Sequence, residues 1–180
     1  MFRKLKLDQL NRLTIYQYKE TSKKPICVIL DNVRSMNNVG SIFRTADGFG
    51  VEKLWLCGIT ATPPHRDIHK TALGAEDSMD WEYAQQTLDI CVQLKADGYI
   101  LIAIEQAEGS KKLNEYKLGW SQDQLNEKYA IIMGNEVDGV SEEVLNLCDE
   151  CIEIPQFGTK HSFNVSVCAG IVLWELVGKK

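Results

Sequence analysis

Six short apolar runs alternate with segments of helical period, and this alternation restricts the fold more than any other feature of the chain. The runs are ICVIL (26–30), VEKLWLCG (51–58), YILIAIE (99–105), YAIIMG (129–134), CIEIP (151–155) and MDWEYA (79–84), the last alternating apolar and polar residues as a strand does. Helical spacing appears over 38–49, through Val39, Ile42, Phe43, Ala46 and Phe49, and over QTLDICVQLKADG (86–98). It appears again over SEEVLNLCD (141–149), opened by Ser141 with acids in its first turn, and over NVSVCAGIVLWELVG (164–178), with Val165, Ala169, Val172, Leu173 and Leu176 on one side. Runs that are apolar at consecutive positions need cover on both faces, which a parallel sheet with crossover helices provides. The expected fold is therefore α/β, a parallel sheet with helices on both faces. TATPPHRDIHKTALGAED (60–77) reads as a loop with one helical turn, and 107–128 as polar and irregular with a short helix. No repeat or long linker divides the chain, and its 180 residues suit one buried domain.

No apolar run approaches the roughly 18 to 20 residues that cross a bilayer, and MFRKLKLDQL has no signal-peptide core. A soluble, cytoplasmic protein is expected. The six cysteines lie mostly within apolar runs, as buried reduced thiols do. Cys148 and Cys151 form a C-x-x-C with no second pair at zinc-ribbon spacing, and His65 and His69 stand beside Pro63 and Pro64, so no metal is expected. Net charge is −5, but residues 1–24 hold seven basic side chains against Asp8 and Glu20, a local +5 that leaves −10 on the other 156 residues. This basic N-terminal arm has two readings, a solvated amphipathic helix over LDQLNRLTIYQY or a surface that meets phosphates.

In parallel sheets, ligands bind beyond the carboxyl ends of the strands. Three segments rich in polar residues fall there: DNVRSMNN (31–38), GNEVDG (134–139) and PQFGTKHSFN (155–164). There is no G-x-S-x-G, no G-x-x-x-x-G-K-[ST] and no G-x-G-x-x-G after a strand, which weakens hydrolase, P-loop and dinucleotide readings. Asn38 occupies an expected helix N-cap position. Gly40 would leave the first turn open to a ligand, where the helix dipole favours an anion. Arg44 could extend back toward the same end to hold a phosphate or sugar, or simply face solvent. Glu136 stands between two glycines that permit a tight turn, and Ser162 and Asn164 precede the last helix, where capping alone would also account for them.

Taken in order, N-x-G-x-x-x-R (38–44), M-G-N-E-x-x-G (133–139) and I-P-x-x-G-x-x-x-S-F-N-V-S-V (154–167) resemble the three motifs of the SpoU-type RNA ribose 2′-O-methyltransferases of the SPOUT superfamily. The resemblance covers about residues 25–178. It implies a C-terminal trefoil knot and a pocket for S-adenosylmethionine built from main-chain groups at Gly134, Ile154 and Phe163. The functional side chains it implies are Asn38, Arg44, Glu136, Ser162 and Asn164. Two positions depart from the family pattern: Phe163 replaces the usual leucine, and Gln156 the usual methionine. The resemblance also implies a homodimer packed through the C-terminal helix and the first-motif helix. RNA is the implied partner, with tRNA favoured over ribosomal RNA because only a short basic arm precedes the first strand. Two other classes stay open: a non-catalytic knotted module that binds RNA or cofactor, and a methyltransferase acting on a small molecule or protein.

Overall fold

The computed structural model describes residues 2–118 and 127–178. In chain order the elements are α1 (Ile15–Glu20), β1 (Lys24–Asp31), α2 (Met36–Phe49), β2 (Val51–Cys57), α3 (Arg66–Ala72), α4 (Ala75–Ser78) and β3 (Trp81–Ala84). There follow α5 (Thr87–Ala96), β4 (Tyr99–Ile104), β5 (Lys111–Lys112), β6 (Lys128–Met133), α6 (Glu142–Leu147), β7 (Glu150–Glu153) and α7 (Val165–Leu173). The strands form one sheet in the order β3-β2-β1-β6-β4-β7-β5. Every pairing is parallel, as the continuous apolar runs require.

Alternation along each strand divides the interior into two cores. Ile26, Val28 and Leu30 of β1 meet Ile42 and Phe43 of α2, Ile68 of α3 and Val172 of α7 on one face. Cys27 and Ile29 point the other way, against Ile90 and Leu94 of α5 and Val144 of α6. Asp31, 2% exposed, ties the end of β1 to that second layer: it accepts hydrogen bonds from the Thr87 hydroxyl at 2.5 Å and the Ser141 N–H at 3.3 Å.

Four local readings of the sequence differ from the structure. Residues 60–77 hold two helices, not one turn; α3 buries only Ile68 and Ala72, too few positions to display a period. His65 opens that helix by accepting the Asp67 N–H at 3.1 Å, and His69 pairs with Glu76. The continuous helix of the arm is instead a 3-10 turn (Leu7–Leu10) and α1, separated by Asn11 at φ +47°. Thr14 caps α1, and the Tyr18 hydroxyl fastens it to the core by donating to the Asp47 carbonyl at 3.1 Å. The irregular region after β4 contains β5 and a 3-10 turn (Leu113–Glu115), while 119–126 lie outside the described residues. The last helix ends at Leu173 and continues as a π turn (Trp174–Gly178).

Gly40 serves packing, which corrects the reading that it opens the first turn to a ligand. A Cβ there would stand 2.2 Å from Thr71 Oγ1 and 2.3 Å from the Ile68 carbonyl oxygen, because α3 crosses α2 at that point. Gly40→Ala is expected to cost about 1–3 kcal/mol of stability by overpacking. A thermal melt equal to that of the wild type would contradict this.

Candidate active site

Parallel strands place the ends of β1, β6, β4 and β7 side by side, and the segments that leave them enclose a cavity of about 490 Å³. Ile104, Met133, Ile152 and Val165 give it an apolar floor. Its rim is polar and comes from Glu105, the 134–139 turn and the 154–164 segment. The volume falls in the range of about 300–1,000 Å³ typical of small-molecule and cofactor sites.

A chain of side-chain hydrogen bonds runs along one side of this rim. Ser35, not Asn38, is the N-cap of α2: its hydroxyl accepts the Asn38 N–H at 3.3 Å, which places Asn38 inside the first turn. The reading of Asn38 as the cap is thereby corrected, and its side chain is released for other contacts. Its Nδ2 donates to Glu136 Oε1 at 2.8 Å, and its Oδ1 accepts from Asn164 Nδ2 at 3.1 Å. Asn164 also caps α7, with Oδ1 accepting the Ser166 N–H at 3.0 Å and the Val167 N–H at 3.4 Å. The capping reading of Asn164 holds, and the other end of its amide reaches Asn38. The direction of the chain is fixed by chemistry: an ionised Glu136 only accepts, so Asn38 must turn its amide nitrogen toward it.

Glu136 further accepts the Arg34 N–H at 3.1 Å and the Ser35 N–H at 3.3 Å. Burial pushes its pKa up, but the Asn38 amide and these backbone donors outweigh that and hold it below the ordinary value of 4.5. The carboxylate stays ionised at neutral pH and acts as an acceptor and orienting group, not as a proton donor. Because the folded-state pKa is depressed, the associated stability is complete above 4.5 and is lost as pH falls through the lower folded value. Between about pH 6 and pH 3, the wild type is expected to lose more stability than Glu136→Gln. Equal losses in urea titrations of the two proteins would contradict the assignment.

The turn that presents Glu136 depends on two glycines. A Cβ on Gly134 would stand 2.2 Å from the Gly139 carbonyl carbon and 2.3 Å from the Val140 nitrogen. Gly139 has φ +70°, and a Cβ there would meet Glu105 Oε2 at 2.0 Å. Glu105 is the strut behind this turn, accepting the Val140 N–H at 3.0 Å and the Gln106 N–H at 2.8 Å. The motif readings missed it, although the quoted run YILIAIE ends on that acid at a sheet position where sites form. Asn135 closes the turn by accepting the Val137 and Asp138 N–H groups, each at 2.8 Å.

Ile154, Ser162 and Phe163 line the same cavity as Gly134, Glu136 and Asn164. Arg44 is not brought to it. Six residues beyond Asn38 on α2, Arg44 stands about 9 Å along the axis and about 120° around it. Its side chain is exposed and makes no hydrogen bond or ion pair with any described residue. Of the five side chains singled out in the sequence, Asn38, Glu136 and Asn164 form one hydrogen-bonded unit, Ser162 lies on the cavity wall, and Arg44 remains free on the outer face of the helix.

Residues 25–174 match the SpoU rRNA Methylase family. The chain is 31% identical over 154 residues to the 23S rRNA (guanosine-2′-O-)-methyltransferase RlmB of Neisseria meningitidis, a match that covers 86% of this chain and 58% of that one. It is 28% identical over 159 residues to the tRNA (guanosine(18)-2′-O)-methyltransferase of Aquifex aeolicus, covering 87% of this chain and 70% of the relative. The crystal structure of an AdoMet-bound rRNA methyltransferase from Sinorhizobium meliloti superposes with a TM-score of 0.76 at 28% identity, covering 88% of this chain and 58% of the other. The chain thus spans about three-fifths of the length of RlmB from N. meningitidis.

Proposed function

Since the chain belongs to the SpoU rRNA methylase family, we propose that it is an RNA methyltransferase that transfers a methyl group from S-adenosylmethionine to a ribose 2′-hydroxyl, with tRNA as substrate. The observation that carries this reading is the Glu136–Asn38–Asn164 hydrogen-bonded chain, whose two ends line the 490 Å³ cavity. It joins all three sequence motifs at one place.

The cavity fits the cofactor: an apolar floor suits the adenine ring, and the Gly134–Gly139 approach brings main chain to the wall. Main-chain groups at Gly134, Ile154 and Phe163, which line the cavity, would hold it. When bound, S-adenosylmethionine supplies an electrophilic methyl group on a sulfonium. The protein must align the hydroxyl and let its proton leave. A guanidinium keeps its proton in proteins, so Arg44 is a bidentate clamp on the phosphate beside the target ribose, and the proton passes to a phosphate oxygen or water. Asn38 and Glu136 orient the ribose, while Ser162 and Asn164 fix the pocket wall against the RNA. The trefoil knot belongs to the same reading, and the 154–164 segment and the 134–139 turn lining one cavity are consistent with it.

The free position of Arg44 supports a homodimer in which it serves a site shared with a second copy. Val167, Ile171 and Trp174 lie on one side of α7 and its continuation, and Val167 and Trp174 are 51% and 55% exposed. An apolar stripe of this kind suits a partner helix. Residues 1–24 act as a basic arm on RNA phosphates, and such a substrate places the work in the cytoplasm. Ribosomal RNA is the second reading, favoured by the likeness to RlmB. Methyl-labelled S-adenosylmethionine, offered with unmodified tRNA and ribosomal RNA in parallel, separates the two: label in tRNA is expected, and label confined to ribosomal RNA would overturn the preference. Sedimentation should give twice the mass of the 20.3 kDa chain.

A further inference from the structure

Phe157 is 98% exposed, in a segment otherwise committed to the cavity. Residues 154–156 and 161–164 hold the cavity wall through Ile154, Gln156 and His161–Asn164, whereas 157–160 project outward. The stem of this projection is pinned: Gln106 Nε2 donates to the His161 carbonyl at 2.6 Å and Gln156 Nε2 to the same oxygen at 3.4 Å. The tip carries an aromatic ring, a glycine with nothing within 4 Å of its Cβ position, and the exposed cation Lys160. An aromatic ring fully in water on a braced loop gains nothing for folding, so its use lies in what comes to the cavity mouth.

We propose that Phe157 is the stacking platform for the base of the target nucleotide, so that the substrate is an unpaired nucleotide, held in a loop or single strand, with little dependence on base identity. The inference rests on the reading of the chain as an RNA 2′-O-methyltransferase. A ribose that enters the cavity mouth brings its base out of the helical stack, which exposes both faces of the ring. An aromatic side chain beside the rim takes one face whatever the base, and Lys160 meets the neighbouring phosphate. The pinned stem keeps the platform fixed relative to Asn164 and Glu136.

The test uses the full chain and two fluorescein-labelled RNAs, a hairpin with a seven-nucleotide loop and a blunt duplex, with binding read by anisotropy. Phe157→Ala should weaken hairpin binding about tenfold or more, Phe157→Trp should restore it, and duplex binding should not change. Affinity for S-adenosylmethionine by calorimetry and the mass in solution should match the wild type in both variants. Unchanged hairpin binding in Phe157→Ala, equal loss in Phe157→Trp, or a change of oligomeric mass would overturn the platform while leaving the methyltransferase reading intact. Wild-type protein that binds neither RNA would overturn both.

Discussion

Arg44→Ala is expected to lower methyl transfer to RNA by about 10²–10³-fold, the scale seen when one pre-positioned electrostatic contact to a transition state is removed. Affinity for S-adenosylmethionine should stay at the wild-type value, because Arg44 does not line the cavity. Folding stability should also hold: the side chain is exposed and bonded to no described residue, and such surface changes usually fall within about 0.5 kcal/mol. A rate loss with neither binding nor stability affected would assign the residue to the RNA side of the reaction. Arg44→Lys separates clamp from charge, since lysine keeps the positive charge but loses the two-pronged fork. Near-normal rates for the lysine variant would contradict the clamp.

Gly134→Ala should have the largest effect on the cofactor. The added Cβ would face three main-chain atoms, the Gly139 carbonyl carbon and oxygen at 2.2 and 2.6 Å and the Val140 nitrogen at 2.3 Å. None of these is the end of a flexible side chain. The opposite strand of the turn is held by hydrogen bonds between Asn135 and Gly139, at 3.1 and 3.2 Å, and by Glu105 beneath Val140. Relief therefore requires the turn to open, which moves Glu136 away from Asn38 and unmakes the cavity wall. Loss of S-adenosylmethionine affinity by about 100-fold or more is expected, in keeping with about 3 kcal/mol for forced overpacking. Gly158→Ala, with open space around its Cβ position, is the matched control. Calorimetric binding by Gly134→Ala at wild-type strength would contradict the role given to this close approach.

The central strands β1, β6 and β4 were legible because they are apolar at consecutive positions and bounded by polar clusters, whereas β5, two lysines, carries no such signal. Period and punctuation agree there, and both cores follow from them. What escaped lay where local pattern is thin. The helix α3 buries two residues and owes its place to Gly40 of α2, a contact between segments distant in the chain. The cap of α2 fell on Ser35 and not on Asn38; both are good capping types, and only the Glu136 contact shows which side chain was free for another partner. Asn164 was legible as a cap, and its bond to Asn38 became visible only when strands β1 and β7 were placed in one sheet. Glu105 carries no motif at all; its role arises from geometry, as the acceptor beneath a turn that begins some thirty residues later.

Nucleoside mapping by mass spectrometry tests the proposed reaction most directly. Unmodified tRNA and ribosomal RNA would be incubated with the protein and methyl-labelled S-adenosylmethionine, digested to nucleosides and compared with an Arg44→Ala reaction. The proposed chemistry predicts label on the ribose of a 2′-O-methylnucleoside in tRNA, strongly reduced in the variant. Label on a base, or no label from protein that demonstrably binds S-adenosylmethionine, would contradict it.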